Sequence, residues 1–303
     1  MKRGFPGLFF ALITIAFLVT SFHLVSSDSE ARRRRSVVYQ LRVMTFNIRH
    51  SRGQDEIHSL RRIARIIKRY RVDLVALQEV DVGTRRVGGL DQTKELARLT
   101  KMHAAFGHAI DFQGGKFGNA ILSRYPFVSK ANPQISGSEG AEERNVLQVK
   151  VRLPRKRMLR RYRRRYRKIR RWNAPVVSFW GTHWDYASSK VRELSANRAN
   201  AWSLKTEGPL ILVGDLNAEP DSSPLQILSK VWRKAGGSRI YRTIPTRSPR
   251  KQLDYILLRK DRSWRVRRVR VLQSKDARNA SDHRPLLADL HLRVPMSYVR
   301  GRK

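Results

Sequence analysis

Cysteine is absent from the 303-residue sequence. Disulfides, zinc–thiolate sites, iron–sulfur clusters and cysteine nucleophiles are therefore all excluded. Acidic residues are also scarce, because 24 Asp and Glu residues stand against 64 Lys and Arg residues, a formal net charge of +40. That charge excludes an ordinary near-neutral enzyme without polyanionic surroundings, since the chain attracts nucleic acid, anionic lipid and acidic wall polymers. Hydrophobic residues still make up 41% of the chain, which predicts a folded core.

The first residues have the pattern of a targeting segment. Lys2 and Arg3 precede an apolar run over residues 8–19, which continues more weakly to residue 25. Residues 5–25 are 21 residues long, and a bilayer crossing needs about 20. A cleaved signal peptide and an uncleaved anchor are both open; no Ala-x-Ala cleavage site is present, and the length fits an anchor better. Arginines at 32–35 balance the charges before the span, so the positive-inside rule does not decide its orientation. We expect the body to be exported, either anchored and facing outward or secreted.

The sequence divides into a predicted signal peptide or anchor (1–25), a basic linker (26–38), one folded body (39–295) and a basic tail (296–303). Apolar residues at helical spacing predict helices over 57–70, 91–101 and 188–205. Short apolar runs predict strands over 41–46, 72–77, 103–110, 117–123, 146–152, 174–181, 209–213, 254–258, 265–272 and 285–291. Many strands with few helices between them indicate a layered α/β architecture.

Short polar strings follow most of these apolar runs. Five of them stand out: Thr45-Phe46-Asn47, Leu77-Gln78-Glu79, Gly181-Thr182-His183, Gly214-Asp215-Leu216-Asn217 and Ser281-Asp282-His283. In layered α/β proteins, loops at the carboxyl ends of strands converge into a site. Carboxylates there are costly unless they are paired or bind a metal. Together with an amide, they suit a hard cation such as Mg²⁺ beside a phosphate, which leaves the histidines for proton transfer or phosphate binding.

Taken in this order, the strings resemble the endonuclease/exonuclease/phosphatase superfamily, the DNase I-like metal phosphodiesterases. The resemblance extends over about residues 41–292. Two further strings support it: Gly118-Asn119-Ala120-Ile121-Leu122-Ser123-Arg124-Tyr125-Pro126 and Leu253-Asp254-Tyr255-Ile256-Leu257. It implies an α/β (α+β) fold, a four-layer sandwich of two packed β-sheets flanked by helices. It also implies in-line hydrolysis of a phosphoester by water.

The resemblance assigns metal and phosphate ligands. Asn47, Glu79 and Asp282 match the metal-binding positions. Mg²⁺ is the expected ion, and Mn²⁺ and Ca²⁺ accept the same oxygen ligands. Asn119 and Arg144 are further candidates for phosphate binding. Arg144 precedes a predicted strand, where its guanidinium could meet a phosphate; a solvated arginine is the alternative in so basic a chain.

The resemblance also assigns catalytic roles. Asp215 matches the aspartate that places or activates the attacking water, and Asn217 matches the asparagine that holds a phosphate oxygen. His283 matches the histidine that bonds to the scissile phosphate, and Asp254 matches the aspartate that orients this histidine. His183 matches the second histidine, a candidate general acid for the leaving oxygen.

Departures from two subfamilies narrow the expected substrate. Ala218-Glu219-Pro220 stands where apurinic endonucleases usually show Val-Ala-His, and Leu253-Asp254-Tyr255 stands where inositol 5-phosphatases usually carry Cys-Asp-Arg. A secreted or anchored nuclease, a phospholipid phosphodiesterase and a phosphatase on another phosphorylated molecule all remain. The alternative to an enzyme is an inactive relative that binds polyanions or membranes, although such a relative would be expected to lose some of the site residues.

Residues 152–171 form an arginine-rich insertion where a short hairpin turn would serve. Of its 20 residues, 13 are basic and none is acidic. Leu159, Tyr162, Tyr166 and Ile169 follow one another at spacings of 3, 4 and 3, an apolar stripe on a helix otherwise covered in arginine. Such a helix suits an anionic membrane, a wall polymer or a nucleic-acid backbone. The alternative is that the stripe packs on the protein's own body. No feature of the sequence indicates an oligomeric state.

Overall fold

The computed structural model describes residues 36–136, 140–169 and 172–300. Twelve strands occur there: β1 (Ser36–Asn47), β2 (Leu74–Val82), β3 (His103–Phe112), β4 (Gly115–Ser123), β5 (Phe127–Ala131), β6 (Val146–Arg152), β7 (Val176–His183), β8 (Leu210–Asp215), β9 (Trp232–Lys234), β10 (Asp254–Arg259), β11 (Trp264–Val271) and β12 (Leu286–Pro295). The α-helices in the same residues are α1 (Leu60–Arg69), α2 (Gln92–Thr100), α3 (Arg160–Arg165), α4 (Ser189–Leu204), α5 (Ser223–Ser229), α6 (Lys275–Asn279) and α7 (Met296–Arg300). Short 3₁₀-helices lie at Arg49–Ser51, Arg85–Val87 and Arg155–Arg157.

The strands form two six-stranded sheets with the same internal plan. Their orders are β11-β12-β1-β2-β4-β3 and β5-β6-β7-β8-β10-β9. In each sheet the third and fourth strands run parallel, β1 with β2 and β7 with β8, and all other neighbours are antiparallel. Each parallel pair therefore sends two strand ends to the same edge of its sheet, which is where the polar strings lie.

Alternating burial along the strands fills the space between the sheets and covers their outer faces. Ile121 and Phe179 belong to the core between the two sheets. Ile63 of α1 packs with the outer face of the first sheet, and Leu228 of α5 packs with the outer face of the second. The order of layers is thus helices, sheet, sheet, helices, which confirms the predicted four-layer sandwich.

The two parallel pairs approach each other closely. A Cβ atom on Gly181 of β7 would lie 2.7 Å from the Cβ atom of Ala76 in β2. Real Cβ atoms essentially never come so close, so the sheets need glycine at this point. The contact lies two residues before the end of β7 and so brings the polar ends of both pairs together.

The arginine-rich insertion folds back on the body instead of forming the long helix that its stripe predicted. Its regular structure is limited to the 3₁₀-helix Arg155–Arg157 and the six-residue α3. Met158 is buried and forms an isolated β-bridge with Tyr39. The indole N–H of Trp172 donates to the Tyr39 hydroxyl at 2.7 Å. The aromatic and aliphatic side chains of the stripe pack on the core between the sheets: Tyr162, Tyr166 and Ile169.

Both ends of the body differ from the predicted boundaries. Strand β1 begins at Ser36, inside the predicted linker, because Ser36 pairs with Pro295 of β12. Helix α7 occupies part of the predicted tail, since its Val299 is buried in the core. The predicted anchor over residues 1–25 lies outside the described residues. Within those residues, no helix has the length and apolar character needed to cross a membrane.

Candidate active site

The predicted site residues meet where the two parallel pairs end. Asn47 is the last residue of β1, His183 the last of β7 and Asp215 the last of β8. A cleft of about 310 Å³ opens there. Seven of the ten predicted site residues line it: Asn47, Glu79, Arg144, His183, Asp215, Asn217 and His283.

A β-bulge presents Glu79 to the cleft. The pairing of β2 with β4 shifts register between Leu77 and Val80, and Glu79 has a φ of 56°. Asn217, just after β8, has a φ of 47°. Positive φ is strained for Glu, and such strain is found mostly at functional sites, whereas Asn tolerates this left-handed region. The backbone N–H of Asn217 donates to Asp215 Oδ1 at 3.0 Å, which supports this tight turn.

Asn47 joins carboxylates from the two sheets. Its Nδ2 donates to Glu79 Oε1 at 2.7 Å and to Asp215 Oδ2 at 3.0 Å. Burial raises the pKa of Glu79, and the negative charge of Asp282 raises it further. Burial likewise raises the pKa of Asp215, with a contribution from Asp254. Burial thus makes both carboxylates costly to ionise, and their oxygens are the donors that a hard divalent cation takes.

His283 lies between two buried carboxylates. Its Nδ1 is 2.8 Å from Asp254 Oδ2, and its Nε2 is 3.6 Å from Asp215 Oδ2. Burial lowers the pKa of His283, but the two carboxylates outweigh burial and raise the pKa overall. The Thr243 hydroxyl also donates to Asp254 Oδ2, at 2.5 Å. The pair Asp254–His283 is thus a carboxylate-oriented imidazole that carries a positive charge beside the cleft.

His183 is held in the opposite charge state. Its Nδ1 is 3.2 Å from Arg144 Nη1, and its Nε2 is 3.1 Å from Asn217 Nδ2. Burial lowers its pKa far below the ordinary value, and the charges of Arg144 and His283 lower it further. Arginine only donates, so Nδ1 accepts and the neutral ring carries its proton on Nε2. Asn217 Nδ2 also donates to the Trp184 carbonyl at 3.0 Å, and Asp215 Oδ2 lies 3.7 Å from His183 Nε2. The second N–H of Asn217 and the Nε2–H of His183 still lack a close acceptor, which a phosphate oxygen would supply. A neutral His183 is better suited to bind phosphate than to act as the predicted general acid.

Three predicted residues lie outside the lining of the cleft. Asp254 is one step behind it, through His283. Asp282 accepts a hydrogen bond from the Ser281 hydroxyl at 3.0 Å and acts on the cleft through the charge it places near Glu79. Asn119 is buried in β4 and donates to Asn145 Oδ1 at 2.5 Å. Asn119 therefore holds the side chain of Asn145, the neighbour of Arg144 in sequence, and does not itself line the cleft.

Two candidate sets of metal ligands result. The first is the predicted set of Asn47, Glu79 and Asp282. The second is Asp215, Asp254 and His283, whose ligand atoms all lie within 4.8 Å of one another. In the second set, His283 and Asp254 already bond to each other, which reduces their freedom to bind an ion. Each set contains one buried carboxylate whose pKa is raised, Glu79 in the first and Asp215 in the second, so the bond between Asp254 and His283 is what favours the first set.

Sequence reasoning missed one wall of the cleft. Phe112 and Phe117, from the hairpin of β3 and β4, line it together with Arg86. Arg86 lies over the Phe112 ring at 4.6 Å and forms hydrogen bonds of 2.6 and 2.8 Å to the buried Asp81. Tyr186, 70% exposed, stands at the mouth of the cleft. These residues belong to no polar string after an apolar run, so only the pairing of strands distant in sequence reveals them.

Comparisons with known proteins agree with this geometry. The model of the Endonuclease/Exonuclease/phosphatase family matches residues 44–283. Uncharacterized protein YbhP of Escherichia coli K12 is 27% identical over 233 residues, covering 73% of this chain and 83% of that protein. Mannosyl-6-phosphatase Bt3783 of Bacteroides thetaiotaomicron VPI-5482 has a TM-score of 0.63 at 19% identity, covering 82% of this chain and 99% of that one. TDP2 of D. rerio, solved with a single-strand DNA product, has a TM-score of 0.57 at 15% identity, covering 83% and 98%. These two structures share the fold.

Proposed function

Because the chain belongs to the endonuclease/exonuclease/phosphatase family, we propose that it is a divalent-metal-dependent hydrolase that cleaves a phosphoester by in-line attack of water. Phosphoester hydrolysis is the activity common to the family. The observation that supports it best is the convergence of Glu79, Asp215 and His283 from different strands and loops on one cleft. An inactive polyanion-binding relative, the alternative function, gives no reason to keep buried carboxylates with raised pKa values.

Each side chain of the cleft has its own role in the proposed reaction. Asp215, with its raised pKa, places the attacking water and accepts its proton. Asn217 and neutral His183 hold a phosphate oxygen. Charged His283, oriented by Asp254, donates to the phosphate and stabilises the charge that develops there.

The metal is proposed to be Mg²⁺, held by Glu79 and Asp282 with the Asn47 side chain beside them. Mg²⁺ prefers oxygen ligands, usually one or two carboxylates with water and substrate oxygens. When bound, a divalent cation neutralises phosphate charge and stabilises the departing oxygen. Arg144, buried in the cleft wall, adds a positive charge next to the same phosphate.

The substrate is an anionic phosphate compound. A nucleic acid, a phospholipid and a small phosphomonoester such as a sugar phosphate all present the group that the cleft is built to hold. The neighbour from D. rerio was solved with a DNA product, and a neighbour from B. thetaiotaomicron is a sugar phosphatase. Both classes of ester therefore belong in the test.

A Mg²⁺-dependent activity panel tests the proposal. It would compare DNA, RNA, sphingomyelin, phosphoinositides, mannose 6-phosphate and an aryl phosphodiester, with EDTA as the metal-free control. We expect hydrolysis of at least one of them that is lost in EDTA and in Glu79→Ala. Glu207→Ala changes an exposed glutamate far from the cleft and is the matched control. Activity that survives EDTA would contradict the metal, and no activity on any ester would support the binding module.

We also propose that the protein is exported and lies against a polyanion. The apolar run over residues 8–25 supports export, and the solvent-exposed arginines of α3 support contact with an anionic membrane or wall polymer. Protease added to intact cells should digest the body if it faces outward. Full protection of the body would reverse the orientation.

A further inference from the structure

A second concave site lies at the end of the first sheet remote from the cleft. It is a groove of about 820 Å³ between β1, β12, the segment before β2 and the start of the insertion. Arg42 in the groove lies five positions before Asn47 in the cleft on β1, a distance of about 16 Å along a strand. Seven lysines and arginines line the groove, against two aspartates. The proposed reaction makes no use of it.

Both aspartates are already neutralised by arginines. Asp73, only 2% exposed, accepts from Arg157 Nη2 at 2.6 Å and from the Tyr125 hydroxyl at 2.9 Å. Asp289 accepts from Arg42 Nε and from Arg270 Nη2, each at 2.9 Å. The carboxylates thus hold these guanidinium groups in place, and they do not offset the remaining cations.

Four cations of the groove are left unpaired. The side chains of Arg71, Lys101, Lys156 and Arg267 form no hydrogen bond or ion pair with any residue that the structure describes. Arg267 is the extra residue of a β-bulge, because the pairing of β11 with β12 shifts between Val266 and Arg268. A bulge re-aims a side chain, here toward the groove.

The excess of positive charge in the groove also affects the pKa of a nearby histidine. The pKa of His291, in the groove wall, is lowered by burial and then by the charges of Arg267, Arg265 and Arg161. Unpaired cations brought together in a concavity repel one another, and an anion bound among them relieves that repulsion. Arginines already fixed by carboxylates lose little freedom when they bind a phosphate.

We propose that this groove binds a compact anion that presents a terminal phosphate group. Its four unpaired cations come from four separate parts of the chain, so they surround a ligand instead of forming one flat face. Two sources supply this chemistry: a soluble oligophosphate, and a phosphomonoester lipid headgroup at a bilayer. The site is separate from the catalytic cleft and does not depend on the proposed reaction.

Calorimetry with tripolyphosphate on the full chain in EDTA tests the groove directly. Lys156→Glu/Arg267→Glu should weaken binding by at least about tenfold, since it removes two charge-assisted hydrogen bonds to phosphate. Lys205→Glu/Lys230→Glu makes the same change in net charge at exposed residues that directly follow α4 and α5 and should weaken binding no more than about twofold at moderate salt. Glu79→Ala/His283→Ala, which disables the cleft, should still bind.

A second experiment measures binding of the same proteins to vesicles of phosphatidylcholine with phosphatidic acid. Binding to these vesicles alone, abolished in Lys156→Glu/Arg267→Glu, supports the groove with a lipid headgroup as its source. Tripolyphosphate binding abolished in the same variant supports a soluble ligand. Equal decreases in the groove variant and in its charge-matched control would overturn the proposal, because they would reflect net charge alone. Binding that disappears only in Glu79→Ala/His283→Ala would also overturn it and would leave the proposed reaction intact.

Discussion

His183 and His283 line the same cleft, yet they hold opposite charge states. Burial and then the adjacent Arg144 lower the pKa of His183 and keep it neutral, whereas Asp254 and Asp215 flank His283, raise its pKa and keep it charged. Neighbouring groups with pKa values pushed apart are typical of sites that divide acid, base and binding roles. The cleft thus contains a neutral imidazole and a charged one, which suits the phosphate-binding roles proposed for them.

Loss of either of two side chains should disable this cleft. We expect His283→Ala and Glu79→Ala each to lower turnover by at least about 10²-fold, the low end for losing one acid–base or charge-stabilising group. Both variants should keep a wild-type circular dichroism spectrum, because neither residue belongs to the apolar core. Steady-state kinetics on the best substrate, with Glu207→Ala alongside, measures the effect. Near wild-type turnover in either variant would show that the roles are wrongly assigned.

A pH-dependent stability should come from His50, in the 3₁₀-helix after β1. Burial lowers its pKa from 6.5 to about 4, and the charge of Arg86 contributes. The unfolded chain therefore binds more protons than the folded one between pH 4 and 6.5, so the free energy of unfolding should rise with pH across this window. Urea melts at several pH values measure the slope, and His50→Gln should make it shallower. An equal slope in both proteins would contradict a neutral, half-buried His50.

At the scale of single elements, the buried strands and long helices were predictable and the exposed ones were not. Strand β6 has the predicted bounds, and β4 begins two residues before its predicted start, since both carry clear apolar runs. Strand β5 was missed, because four of its five residues are exposed and show no pattern. The bulge at Glu79 was also missed, since it depends on pairing with β4, about 40 residues later. The local sequence pattern thus located the polar strings, whereas the pairing of strands distant in sequence decided the direction of their side chains.

The close approach of β2 and β7 predicts that the stability effects of substitutions at Ala76 and Gly181 are coupled. Gly181→Ala should lower stability by about 1–3 kcal/mol, because the new methyl group overlaps the Ala76 side chain. Ala76→Gly/Gly181→Ala moves the methyl group to the other sheet and should recover part of that stability. Guanidinium melts of the two single variants and the double variant give the coupling free energy. Additive effects would mean that the two sheets do not touch at this point.

At the scale of the whole molecule, the two sheets repeat one plan that the sequence does not show. The first carries Asn47 at the end of β1 and Glu79 in the bulge of β2, and the second ends its parallel strands with His183 and Asp215. No repeat is visible in the amino acids, because a strand order is fixed by which strands pair and not by shared side chains. The order of the polar strings identified the site, but not this symmetry.

Within the insertion, we expect the exposed arginines of α3 to contribute to polyanion binding and the buried side chains to contribute to stability. Replacing Arg160, Arg163 and Arg164 with Gln should leave stability within about 0.5 kcal/mol, because these side chains are exposed. It should also lower the salt slope of duplex DNA binding by up to about 0.9 for each phosphate that the arginines no longer neutralise. A thermal melt beside a salt titration measures both. An unchanged slope would mean that α3 does not meet the polyanion.

Deletion of residues 153–173, unlike replacement of the exposed arginines, should lower the stability of the protein. The sequence alone left open that a tight turn could replace this segment at little cost. Leu153 and Met158 are buried in the core, however, so the deletion exposes apolar surface. We expect a clearly lower melting temperature, and wild-type stability in the deletion would contradict the packing of the stripe.

The pairing of β1 with β12 sets the moment at which this protein can first act. Strand β12, the last of the described strands, enters the first sheet beside β1, and Asp282 and His283 immediately precede it. During synthesis, a nascent chain that has emerged only as far as β11 lacks both the strand and the two side chains. On the roles proposed for Asp282 and His283, the growing polypeptide can gain its hydrolytic activity only after the residues of β12 have been made and have paired with β1.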